Sequence, residues 1–209
     1  MTHKIDREHL FDTARPTFGG YTNSRIQGID TILDAFEAGN FDKDEEAYML
    51  ATATWESAKT MQAVRETLAT TDDQAISRLE NAWRTGKLTW VKTPYWRKDA
   101  EGKSWFGRGL VQITHKANYD RLGKAIGVDL VSNPSRALEL PVAIKIMTTG
   151  MKLGLFTTGK LDQYLDGVDE SWAEDYREFV NARRIINGKD RAEEIAKLAM
   201  MFKSGIRYV

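Results

Sequence analysis

The 209-residue chain has no cysteine, only four prolines and three histidines, and no formal net charge, since 30 Lys+Arg balance 30 Asp+Glu. Without cysteine there is no disulfide framework, no thiolate metal site and no thiol nucleophile. His3, His9 and His115 lie far apart, and none belongs to an H-x-x-x-H pair. No metal site is therefore expected. Balanced charge argues against a partner held by bulk attraction to phosphates, so no nucleic acid is expected. The most apolar stretch, Ala47 to Trp55, is short and threonine-rich, which argues against stable membrane insertion. Met1 to Arg15 is charged and has no apolar segment, so no secretory signal is expected. A phosphate-cradling G-x-x-x-x-G-K-[ST] run is also missing.

What remains is ample for a core: 42% of residues are hydrophobic. Helical periodicity dominates. Ile29, Ile32, Leu33 and Phe36 form one apolar stripe ended by Gly39-Asn40. Asp42 with Glu45 predicts a helix start, and the helix then runs from about Lys43 to about Ser57, buried on more than one side. Residues 73–84 form an amphipathic helix through Ile76, Leu79 and Trp83. Leu110 to Ile113 reads as a brief strand, and Ala117 to Ile126 as a helix stopped by Gly127. Asn133-Pro134 opens another helical segment, and residues 141–153 continue in helical style. Leu161 to Leu165, Trp172 to Arg184 and Arg191 to Lys203 are further amphipathic segments. No repeat and no linker divides the chain. The expectation is one domain over residues 1–209, α+β but mostly α, with a small β element.

Two glutamates stand out. Glu56 ends the buried helix beside Trp55, Ala53 and Ala58. A carboxyl held against such groups would lose hydration and be suited to a general acid. Glu66 lies ten residues on, which is off the same face of a continuous helix, so the helix must stop near Ala58 and the chain fold back. A pair of carboxyls flanking a bond is the equipment of glycoside hydrolysis. On spacing alone, two glutamates ten apart are more often unrelated surface residues.

Trp105 to Leu130 is the second feature. Gly107 and Gly109 flank Arg108, a tight backbone path. Gln112, Thr114 and Asn118 are neutral hydrogen-bonding residues, suited to hydroxyl and acetamido groups, with a polar edge strand as the plainer alternative. Upstream, residues 87–108 carry six basic residues against two acidic ones, interleaved with Trp90, Tyr95, Trp96, Trp105 and Phe106. Such rings can lie against pyranose faces. Trp105 and Phe106 are expected to be buried, and Trp90, Tyr95 or Trp96 exposed, with Trp96 as the sugar-stacking residue.

Segment 105–134 resembles the core motif of family 19 glycoside hydrolases, the chitinase-like group that includes many phage endolysins. The motif reads Gly107, Arg108, Gly109, Gln112, Ile113, Thr114, Asn118, Tyr119, followed by Gly123, Gly127, Asp129, Leu130 and Pro134. Arg183 to Ala196 is similar to the family's R-R-I-[IV]-N-G segment, and Glu56-Ser57 to its first catalytic glutamate. The chain departs from the family at Trp55, where His is usual, and at Ala58-Lys59, where Gly-Gly is common. The resemblance implies a lysozyme-like fold with the β element beside a cleft. It also implies an inverting glycoside hydrolase with Glu56 as acid, Glu66 as base and Thr114 holding the water. Gln112, Asn118 and Asn187 would bind sugar, and Arg184 would be a structural or tuning neighbour. No cofactor is implied.

The implied substrate is peptidoglycan or another β-1,4 amino-sugar polymer such as chitin. The implied protein is a monomeric endolysin, held in the host cytoplasm until lysis and then acting on the cell wall. A non-catalytic wall-binding virion component and a lytic transglycosylase are the alternatives.

Overall fold

The computed structural model describes residues 4–209; His3 lies outside them. The chain divides into two compact units. One is built from both ends of the chain, residues 1–62 and 147–209, and the other from residues 63–146.

The first unit is helical. Helix α1 (Arg7–Phe18) is started by Asp6, whose side chain accepts from the His9 N–H, and buries Leu10, Ala14 and Phe18 at four-residue spacing. The sequence reading passed over it, because Pro16 interrupts its last turns and charged residues surround its few apolar ones. Helix α2 (Asn23–Ala38) buries the predicted stripe of Ile29, Ile32, Leu33 and Phe36. Helix α3 (Lys43–Glu56) begins with the expected Asp42–Glu45 capping box and is buried along nearly its whole length. A helix buried all round needs partners on several sides, and its main partner is α9 (Ala192–Gly205). Helix α7 (Trp172–Ala182) and α1 also pack on α9, and the four-residue α8 (Arg184–Asn187) follows α7. An isolated antiparallel bridge joins Ile5 to Tyr208, which ties the beginning of the described chain to its end.

The second unit carries the β element. Strand β1 (Val64–Arg65) pairs antiparallel with β2 (Arg108–Gly109), with Val64 opposite Gly109 and Arg65 opposite Arg108. Helix α4 (Asp72–Arg84) and helix α5 (Lys116–Ile126) follow the two strands, and Gly127 ends α5 in the left-handed conformation. Pro134–Leu138 is a 3-10 turn rather than an α-helix. Helix α6 (Leu140–Leu153) runs out of this unit into the first. Leu161–Gln163 is likewise only a 3-10 turn. A small core gathers Ala69, Ala75, Leu79, Trp96 and Phe106.

The predicted strand at Leu110–Ile113 is corrected. The strand lies two residues earlier, and Leu110 to Gln112 form a turn closed by a bridge from Arg108 to Ile113. Gln112 has a positive φ of 52°, which no residue inside a continuous strand adopts, so no polar edge strand runs through it.

Candidate active site

Glu56 is the last residue of α3. The chain then reverses through Ala58, Lys59 and Met61, all three with positive φ. Ser57 holds this reversal: its hydroxyl accepts from the Met61 N–H and its carbonyl from the Thr60 hydroxyl. Gly28 on α2 lets the reversal approach closely, because a Cβ there would fall 2.0 Å from the Met61 carbonyl oxygen. The helix stop and the fold-back expected near Ala58 are both present.

The surroundings of Glu56 differ from the expectation. Trp55 is 36% exposed and Ala58 is exposed, so neither encloses the carboxyl in apolar groups. Instead Glu56 Oε1 pairs with Arg183 Nη1 at 2.9 Å, and the Arg183 side chain is only 2% exposed. Arg183 is itself anchored, its Nε donating to the Asp190 carbonyl. The neighbouring arginine is therefore Arg183. Arg184, proposed from the resemblance, instead donates to the Asn181 side chain. The double-arginine run could not say which of the two turns inward. The structure decides it: Arg183, the residue between α7 and α8, is the buried one, and Arg184 is only half-buried. Asn187 ends α8 and is exposed.

Glu66 follows β1 directly, at the start of a 3-10 turn in which Thr67 and Leu68 have positive φ. Its main-chain N–H donates to the Gly107 carbonyl at 2.7 Å, and its Oε2 accepts from the Gly107 N–H, also at 2.7 Å. Its Oε1 accepts from the Tyr95 hydroxyl at 2.7 Å. Glycine at 107 leaves room for both side chains: a Cβ would lie 2.8 Å from Gln112 Oε1 and 3.2 Å from Glu66 Oε2, and both would have to shift. Gln112 spans the same loop, its Nε2 donating to the carbonyls of Val64 and Gly109, both at 3.0 Å. The unit thus brings Glu66, Gly107 and Gln112 together. Thr114 and Asn118 form a second pair, through the Asn118 amide donating to the Thr114 carbonyl; Arg121 donates to the Asn118 oxygen.

Trp96 is corrected. It is fully buried, with its indole N–H donating to Glu80 and its ring edge-on to Trp83 and Tyr95. Such a ring has no free face for a sugar. The alternating basic and aromatic residues concealed this, because Arg97 and the Trp96 N–H share the Glu80 carboxylate and hold its pKa down to about 2. Trp105 and Phe106 are buried as expected, and Trp90 is 72% exposed. Tyr95 was named only as a ring, and nothing in its spacing pointed to Glu66. Arg108, between the two glycines, is 2% exposed and structural. It pairs with Asp72 at 2.7 Å, donates to the Ser104 carbonyl and Tyr119 hydroxyl, and lies 3.7 Å over the Phe106 ring.

Among the described residues, one set of three carboxyls could approach a metal, Asp44, Asp166 and Glu178, with ligand atoms within 4.8 Å of one another. One of the three, Asp44, already pairs with an ammonium: Lys203 Nζ lies 2.8 Å from it and 2.9 Å from Asp175, which is outside the set. Burial opposes the charge on Lys203, but the hydrogen bonds it donates to those two carboxylates raise its pKa.

Residues 68–149 match the family model of glycoside hydrolase family 19, chitinase class I. The matched stretch contains Trp96, Gln112, Thr114 and Asn118; it begins two residues after Glu66 and does not include Glu56. The chain is similar to Endochitinase 4 of Solanum tuberosum, 51% identical over 43 residues, which is 21% of this chain and 14% of that protein. It is also similar to the basic endochitinase of Vitis vinifera, 57% identical over 35 residues, 17% of this chain and 11% of that one. The chain thus spans about one seventh of the length of the curated relatives it matches. In fold it is similar to chitinase C from Streptomyces griseus HUT6037, with a TM-score of 0.54 and 17% identity over 93% of this chain and 74% of that one. The mostly helical α+β architecture, with a two-stranded sheet among the described residues, is similar to the fold of that chitinase.

Proposed function

We propose that the protein is a glycoside hydrolase that cuts β-1,4 bonds between amino sugars, and that its substrate is peptidoglycan. Glu56 is the general acid that protonates the glycosidic oxygen. Glu66 is the general base that takes a proton from water as its oxygen attacks the anomeric carbon, and the configuration inverts. Thr114 helps hold that water; Gln112, Asn118 and Asn187 serve the sugar. Arg183 keeps the Glu56 side chain in one rotamer through the pair described above. Two carboxyls and water complete the reaction, so no cofactor is needed.

The observation that carries this reading is the setting of Glu66. In the loop bordering the family-matched segment, a half-buried carboxylate is gripped by a donor on each oxygen, while Gln112 braces the same loop. The positive excess over residues 87–108 supports an anionic wall polymer as substrate. The reading extends to an endolysin, monomeric, made in the host cytoplasm and released to the wall at lysis. Chitin is the second reading, favoured by the names of the relatives and of the structural neighbour.

The test is clearing of Gram-negative cells whose outer membrane has been permeabilised. Purified protein should clear them; Glu56→Gln and Glu66→Gln should each lower the rate at least about 100-fold, as expected for loss of general acid–base catalysis. Both variants should still sediment with sacculi. Wild-type protein that sediments with sacculi but never clears cells or releases sugar ends the hydrolase reading in favour of a wall-binding component. Turnover of chitin oligosaccharides without clearing moves the substrate to chitin.

A further inference from the structure

We propose that Tyr95 is the positioning residue of Glu66, fixing the plane in which that carboxylate meets the attacking water. The inference rests on Glu66 being the base assigned above. A glutamate side chain reaches its carboxyl through three rotatable bonds, and a single hydrogen bond leaves the carboxyl plane free to turn about that contact. Glu66 has two, on different oxygens: Gly107 N–H to Oε2 and Tyr95 O–H to Oε1, both 2.7 Å. Together they fix both the location and the rotation of the plane. Each oxygen retains a second lone pair, so a water can still be held, now in a defined direction.

Tyr95 is itself held firmly enough to impose that direction. Its ring lies 5.1 Å from Trp96, edge to face, and 4.8 Å from His115. Its main-chain carbonyl accepts from the Trp105 N–H at 3.2 Å. Because Trp96 is fully buried, the tyrosine is suspended from the small core of this unit. Burial and then the Glu66 charge raise the Tyr95 pKa, so the phenol keeps its proton and acts only as a donor. The proton balance follows. Water gives its proton to Glu66 and its oxygen to the anomeric carbon, the leaving oxygen takes the Glu56 proton, and Tyr95 neither gains nor loses one.

The test is Tyr95→Phe, which removes one oxygen and preserves every ring contact, measured on the soluble oligosaccharide that wild type turns over. Loss of a hydrogen bond to a charged group predicts a fall in kcat of about 10- to 100-fold. KM should stay within about twofold, since the bond is made to the base and not to substrate. In a Glu66→Ala background the same change should alter the residual rate by less than about twofold, because its effect passes through Glu66. A kcat within twofold of wild type overturns the proposal. So does an equal fall in kcat with and without Glu66, which would mark a purely structural tyrosine. If Glu66→Ala alone leaves full activity, the assignment of the base fails instead, and the two failures are separable.

Discussion

A single buried cation organises the loop that carries the candidate base. Arg108 sits between two glycines because its guanidinium turns inward, under β2, to meet Asp72, the Ser104 carbonyl and the Phe106 ring. Arg108→Met should cost about 2 kcal/mol, the range for losing hydrogen bonds from a charged group while Asp72 keeps Arg65, read as a lower urea midpoint. Asp72 gives this pair a pH signature. Burial works against its charge, but hydrogen bonds from Arg65 and Arg108 outweigh burial and lower its pKa below the ordinary 3.8. A depressed folded-state pKa contributes stability that is present above the ordinary carboxyl value and is lost as pH falls through the lowered one. Asp72→Asn should therefore be less stable than wild type at pH 7, with the gap narrowing below about pH 4 as the wild-type carboxylate takes up its proton. At this scale the sequence offers candidate residue types more readily than what they touch. Glu56 and Glu66 were singled out by type and context. The Arg183 contact and the burial of Trp96 depend on which way one side chain turns, and no spacing records that.

Helices were the most legible elements, since an apolar stripe and a cap are written locally. The Asp42–Glu45 box, the ends of α4 and α5 and the long burial of α3 all follow from residues within a few positions. The turns were less legible. The reversal after α3 places Ala58 and Lys59 at φ of 50° and 65°, where glycine is the usual occupant. That explains why the departure from Gly-Gly at these positions leaves the reversal intact but strained. A left-handed alanine costs about 1–2 kcal/mol, part of which glycine gives back through its freer unfolded chain. Ala58→Gly should thus raise stability by about 0.5–1 kcal/mol, seen as a higher melting temperature. Gly28→Ala should act the other way, losing about 2 kcal/mol or more, because its new methyl would press on the Met61 carbonyl. The one predicted strand fell two positions late, and β1 had no prediction at all, for a related reason. A strand so short has no alternation of its own, and its register is set by the Glu66–Gly107 hydrogen bonds across the pair.

At the scale of the molecule, the division into two compact units left no trace in composition. One unit is assembled from the two ends of the chain and the other from its middle, and the boundary after residue 146 falls within α6 rather than in a stretch of distinct composition. No helix among the described residues is long and apolar enough to cross a membrane. The mostly helical class was legible because α2 to α7 and α9 carry local signals; α1, with Pro16 inside it, and the four-residue α8 do not. What binds the proposal together is chemistry rather than shape: one carboxyl gives a proton to the leaving oxygen while another takes one from water. Mass spectrometry of sacculi digested in ¹⁸O-labelled water tests this most directly. The account predicts one ¹⁸O at each new reducing end, lost together with all cleavage in Glu66→Gln. Anhydro-muramoyl ends free of label, or full labelled cleavage by Glu66→Gln, would contradict it.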